Sequence, residues 1–127
     1  MKKKGTRAER ELQHMFWNSG KWAASRMAGS GSTPLPSPDL IVGNSLRKLA
    51  IECKSIKGTY KQLDKSDINQ LLEFSNKFNS EAWLAIRFDN IGWYFLDAKT
   101  IPLNKNGNYS ITLQLAKERG VKFEEFM

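Results

Sequence analysis

Hydrophobic residues recur along this chain with two periods, and the changes of period mark its elements. Over residues 6–19, Ala8, Leu12, Met15 and Phe16 fall at helical spacing, which predicts a helix that Gly20 ends. Residues 21–27 read as a first strand. Pro38-Asp39-Leu40-Ile41-Val42 and residues 49–54 are short apolar runs on either side of Gly43-Asn44-Ser45, the pattern of a hairpin. Residues 67–79 read as a second helix with Ser66 as its N-cap. Residues 82–88 and 92–96 are nearly continuously apolar around a turn at Asp89-Asn90, so both faces of their sheet should be covered. Residues 111–119, closed by Gly120, read as a last helix.

The polar stretches fill in the rest. Residues 1–5 form a basic arm, and the Gly, Ser and Pro of residues 28–37 mark a mobile loop. Residues 55–65 read as a basic loop, and residues 121–127 as a short tail. The order helix, strands, helix, strands predicts one α/β domain over residues 1–127, with a central mixed sheet of about five strands flanked by helices. The second helix carries two apolar stripes, Ile68 with Leu72, and Leu71 with Phe74 and Phe78. Packing on a sheet uses only one. The other implies either a dimer partner or a helix sunk deeper into its own core.

Composition narrows the partners. The chain has 127 residues, of which 40% are hydrophobic and 26% charged, a size and balance that suit one globular core. No apolar run approaches the roughly 20 residues of a membrane span, and no signal peptide is apparent, so a cytoplasmic protein is expected. The net charge of +7 favours polyanions, chiefly nucleic acid. One cation cluster holds Lys2, Lys3, Lys4, Arg7, Arg10, Lys21 and Arg26, and a second holds Lys54, Lys57, Lys61 and Lys65. With one Cys and one His, a zinc site built from those residues is excluded. Cys53 reads as a small buried hydrophobe and His14 as a surface or partly packed residue.

The candidate chemistry lies in the hairpin. Side chains alternate along a strand, so Glu52 and Lys54 share a face, and Asp39 enters the neighbouring strand. Oxygen-only ligands suit magnesium, with manganese as a substitute, and the Cys53 carbonyl could add a ligand. Lys54 could orient a water and offset charge on a phosphorane-like transition state. The bland alternative is an ion pair closing a sheet edge. Glu9 lies on the same helix face as Leu12 and Phe16, but Thr6-x-x-Glu9 also fits a capping box, which spacing alone favours. Gly29-Ser30-Gly31-Ser32 could cradle a phosphate or could be a plain connection.

Beyond these single features, the chain resembles the archaeal Holliday junction resolvases, homodimeric nucleases of the restriction-endonuclease-like PD-(D/E)XK superfamily. The likeness runs through residues 4–12, 26–32, 38–44, 49–54, 71–78, 84–88 and 92–93. It implies a magnesium-dependent endodeoxyribonuclease that cuts four-way junction DNA in paired nicks, without an organic cofactor or a membrane. By position, Glu9, Asp39 and Glu52 would be metal-site acids, which reverses the capping preference for Glu9. Lys54 would be the catalytic lysine and Ser30 an active-site serine, with Ser32 a close rival. Arg7, Arg10 and Arg26 would contact phosphates, joined by Lys3, Lys4, Lys57 and Ser32 on the DNA surface. Leu71, Phe74 and Phe78 would meet the second subunit. Other nucleases of the superfamily, acting on flaps or duplexes, and a non-catalytic DNA-binding module remain alternatives.

Overall fold

The computed structural model describes residues 2–27 and 34–126, the first four of them by backbone alone. Helix α1 (Lys2–Asn18) buries Ala8, Leu12 and Phe16, one stripe at four-residue spacing. It ends where Gly20 takes a left-handed φ of 77°, with Ser19 Oγ donating to the Phe16 carbonyl at 2.6 Å. Residues 2–5, expected as an arm, continue this helix, as befits three lysines of good helix propensity. Thr6 therefore lies inside α1, which removes the capping box.

Five strands form the central sheet in the order β1-β2-β3-β5-β6: β1 (Ala23–Arg26), β2 (Leu40–Gly43), β3 (Lys48–Ile56), β5 (Glu81–Phe88) and β6 (Gly92–Asp97). β2 and β3 are the expected hairpin, antiparallel with Leu40 opposite Ile51. β3 and β5 are parallel and are joined through β4 (Tyr60–Leu63) and α2 (Lys65–Phe78), so the sheet is mixed. Asp39 stands one residue before β2, and its backbone N–H still donates to the Ile51 carbonyl at 3.0 Å.

The two faces of the sheet are covered differently. Against one lie α1 and the last residues of the chain, in an aromatic cluster of Phe16, Trp22, Phe95 and Phe126 with Leu40, Leu49 and Ile51. Against the other lie α2, the ribbon of β4 with β7 (Tyr109–Thr112), and α3 (Leu113–Arg119). Because β3 alternates, Leu49 and Ile51 point to the first face and Ala50 to the second.

Several expectations change. The basic loop at 55–65 contains β4, whose partner β7 lies far along the chain. Three of its four residues are exposed, so no apolar alternation betrays it. The expected last helix begins at Leu113, because residues 109–112 are strand β7. Asp64, not Ser66, is the N-cap of α2, and it makes no side-chain capping bond. The tail is no arm: Val121 and Phe95 exchange backbone hydrogen bonds of 2.9 and 2.8 Å, and Phe126 is buried. Gly120 permits this return, since a Cβ there would stand 2.5 Å from the Ala116 carbonyl oxygen. Leu71 is sealed inside the protomer at 2% exposure, packed with Ala50, Ala82 and Ala98. It cannot face a second subunit; Phe74 and Phe78, at a ring distance of 5.2 Å, carry the outer stripe of α2 alone.

Candidate active site on the central strand

The hairpin places the two acids of the motif against each other. Asp39 is buried, its Oδ2 accepts from the Cys53 N–H at 2.9 Å, and its carboxyl is hydrogen-bonded to that of Glu52. Two neighbouring carboxyls away from water cannot both ionise cheaply. Burial, reinforced by the charge of Asp39, pushes Glu52 up to about 8. The pair is short of positive charge.

Lys54 projects on the Glu52 face, as strand alternation requires. Its Nζ lies 3.8 Å from Glu52 and 3.1 Å from Asp67 in the first turn of α2. Burial alone would lower the ammonium pKa, but Glu52 and Asp67 outweigh it and raise it above the usual value. Lys54 is therefore a fixed cation and not a neutral base.

Glu9 approaches from α1. Burial and Asp39 raise its pKa, while Arg26 opposes the rise. The Arg26 guanidinium at the end of β1 donates to Glu9 Oε1 through Nη2 at 3.3 Å, and Nε stands at 3.4 Å. Arg26 thus holds an acid here, although it was expected to face phosphate. Burial first, then Asp39, Glu9 and Glu52, raises the Cys53 thiol well above its ordinary range, which rules out a thiolate nucleophile.

The other sequence candidates are more dispersed. Arg7 and Arg10 are exposed on α1, and Lys57 is exposed in the turn after β3. Arg7 lines a cleft of about 360 Å³ with Glu11, Ser55, Arg87 and Asp89. Ser30 and Ser32 lie outside the described residues, as do the side chains of Lys3 and Lys4. His14 is exposed on α1, as expected.

Two features escaped the sequence reading. One is Asp67, whose place three residues into a helix signals only dipole compensation. The other is a cross-sheet network on the cleft wall. Arg87 Nε lies 3.1 Å from both oxygens of Glu11, which also accepts from the Trp93 indole at 2.7 Å. These partners sit far apart in sequence, so no local spacing connects them.

Among the described residues, no three carboxylate, histidine or cysteine side chains are already gathered as a metal cage. The donor set still fits magnesium, which takes one or two carboxylates and fills its remaining positions with water and phosphate oxygens. Asp39 and Glu52 are the two carboxylates that would supply them.

A mixed five-stranded sheet with Asp39 before one strand and Glu52-x-Lys54 on the next defines a nuclease of the restriction-endonuclease-like class. The model of the archaeal Holliday junction resolvase (Hjc) family matches residues 1–127, and the chain belongs to that family. It is 37% identical to the crossover junction endodeoxyribonuclease Hjc of Archaeoglobus fulgidus, over 98% of this chain and 96% of that one. It is 32% identical to the Hjc of Methanocaldococcus jannaschii, over 97% and 86% of the two chains. The solved structure of the Archaeoglobus Hjc, described as a Holliday junction resolvase, superposes with a TM-score of 0.86 at 32% identity, over 95% of this chain and 98% of that one.

Proposed function

We propose that this endonuclease resolves four-way DNA junctions as a magnesium-dependent homodimer, each subunit making one of two paired nicks. The observation that carries the reading is the hydrogen-bonded carboxyl pair of buried Asp39 and part-buried Glu52, with the Lys54 ammonium 3.8 Å from Glu52. A bound magnesium ion would be held by Asp39 and Glu52 and would make a water nucleophilic at neutral pH. The Cys53 carbonyl and Glu9, once released from Arg26, are its further candidate supports.

Lys54 stabilises the negative charge that builds on the phosphorus oxygens as the water attacks in line. No covalent intermediate and no organic cofactor enter. Arg26, freed from Glu9, joins Arg7, Arg10 and Lys57 on the phosphates, with Lys3 and Lys4 extending that surface. Ser30 or Ser32 meets the scissile strand. Exposed Phe78, with the part-buried Phe74 beside it, seats the second subunit, and two such sites would match the two-fold symmetry of a junction. The protein acts in the cytoplasm; among the described residues no helix is long and apolar enough to cross a membrane.

Cleavage of a labelled four-way junction beside duplex and flap substrates, with magnesium and with EDTA, tests the reading. Paired, metal-dependent nicking selective for the junction supports it, and equal cutting of all three substrates removes junction specificity. Light scattering of Phe78→Ala tests the assembly: a shift toward monomer is expected, and an unchanged dimer would exclude this face.

A further inference from the structure

We infer that Asp67 is the positioning residue for Lys54, holding its ammonium at the reacting phosphate when Glu52 is engaged with the metal ion. This rests on the proposed nuclease chemistry. Glu52 has two claimants, since the same carboxylate that lies 3.8 Å from Lys54 is one of the two acids able to bind the cation. An acid whose oxygens coordinate a metal is a poor anchor for a neighbouring ammonium. Asp67 has no such conflict. It stands on α2, a different element, and its Oδ2 is the nearer partner at 3.1 Å.

The local fold makes that contact rigid at both ends. Lys54 is fixed on β3, the central strand. Asp67 is fixed in the first helical turn, where its backbone N–H donates to the Asp64 carbonyl at 3.2 Å, and the next residue, Ile68, is fully buried. An acid in a first turn also complements the helix dipole. That alternative role needs no lysine, whereas this carboxylate is aimed at one. With the Asp67 side chain 38% exposed, the pair adds little to stability, so folding alone gives no reason for it.

A flexible four-carbon side chain without its anchor samples many rotamers, and misplacing a reacting group by about 1 Å costs on the order of a hundredfold in rate. The test compares Asp67→Asn, Asp67→Ala and Asp67→Glu, each alone and in a Lys54→Ala background. Single-turnover junction cleavage in magnesium is measured beside junction affinity in EDTA and melting temperature. A tenfold to hundredfold slower rate is expected for Asn and Ala, at unchanged affinity and melting temperature. Partial recovery with Glu and no further loss in the Lys54→Ala background are also expected.

An activity-free arm labels the metal-free protein with an N-hydroxysuccinimide acetate ester and reads Lys54 by mass spectrometry. Faster acetylation in Asp67→Asn supports the inference. A wild-type rate in Asp67→Ala, or an equal loss in the Lys54→Ala background, overturns it. So does a fall of affinity and melting temperature in step with the rate. If the wild-type protein cuts no junction, the nuclease reading has failed, while the acetylation arm still reports whether Asp67 holds Lys54.

Discussion

Two acid–base clusters lie along β3, and they behave in opposite ways. Just before the strand, Arg47 donates to Glu81 through Nε at 2.8 Å and Nη2 at 2.7 Å, a two-pronged pair. That bonding, with help from the Trp83 indole, holds Glu81 below its ordinary value and raises Arg47. Four residues into the strand the balance reverses. Glu52 shares its surroundings with Asp39, and Lys54 divides itself between Glu52 and Asp67. The first cluster is satisfied as it stands. The second leaves a raised acid beside another carboxyl, the imbalance that a bound cation would relieve under the proposed chemistry.

The hardest blow to this contrast is Glu52→Gln. It removes the proposed metal ligand while keeping the shape, so single-turnover junction cleavage should fall by roughly a hundredfold to a thousandfold. Junction affinity in EDTA should hold. Parallel loss of both would make Glu52 structural.

The next prediction uses pH. Unfolded, Glu52 titrates near 4.5; folded, near 8. Below 4.5 both states hold the proton, and above 8 neither does. Between them only the folded state is protonated, so stability of the metal-free protein declines as pH rises through this window. A loss on the order of a few kcal/mol is expected, because each pK unit is worth about 1.4 kcal/mol and other groups offset part of it. Melting curves in EDTA from pH 5 to 8 measure it; Glu52→Gln and excess magnesium should each flatten the slope. A slope unchanged in Glu52→Gln would assign the effect elsewhere.

Arg47→Ala probes the satisfied cluster. The guanidinium also stands 5.7 Å from the centre of the Trp22 ring and 5.5 Å from that of Phe126. A loss of about 1 kcal/mol is expected, seen as a melting temperature a few degrees lower, with cleavage per folded molecule unchanged. A collapse of cleavage would tie the two clusters together. The smallest effect concerns the β4 ribbon, where Tyr60 and Lys61 are exposed beside the β3 end. Lys61→Ala should reduce the slope of junction affinity against salt by about one. An unchanged slope would keep the ribbon off the DNA.

The legible part of the chain is the part with local signals. Leu12 and Phe16 at helical spacing, the apolar runs of the hairpin, and Asp39 with Glu52-x-Lys54 were all readable, and the structure brings those three polar residues together. The illegible part depends on partners distant in sequence. β4 is a strand because β7 pairs with it, and Asp67 matters because a helix two elements on delivers it to Lys54. The role of Leu71 was misread because helical spacing fixes which residues share a stripe and not which stripe the sheet covers. The apolar residues of Lys122-Phe123-Glu124-Glu125-Phe126 are too sparse to announce a core segment, yet Phe123 packs edge-on to Phe16 at 5.0 Å.

Phe16 of α1 packs against Trp22 and Phe95 of the sheet side at 5.7 and 6.3 Å, and Phe123 and Phe126 close on the same ring at 5.0 and 6.3 Å. The seat of the helix that carries Glu9 is thus completed by residues more than a hundred positions away in sequence, which act on it as a clasp.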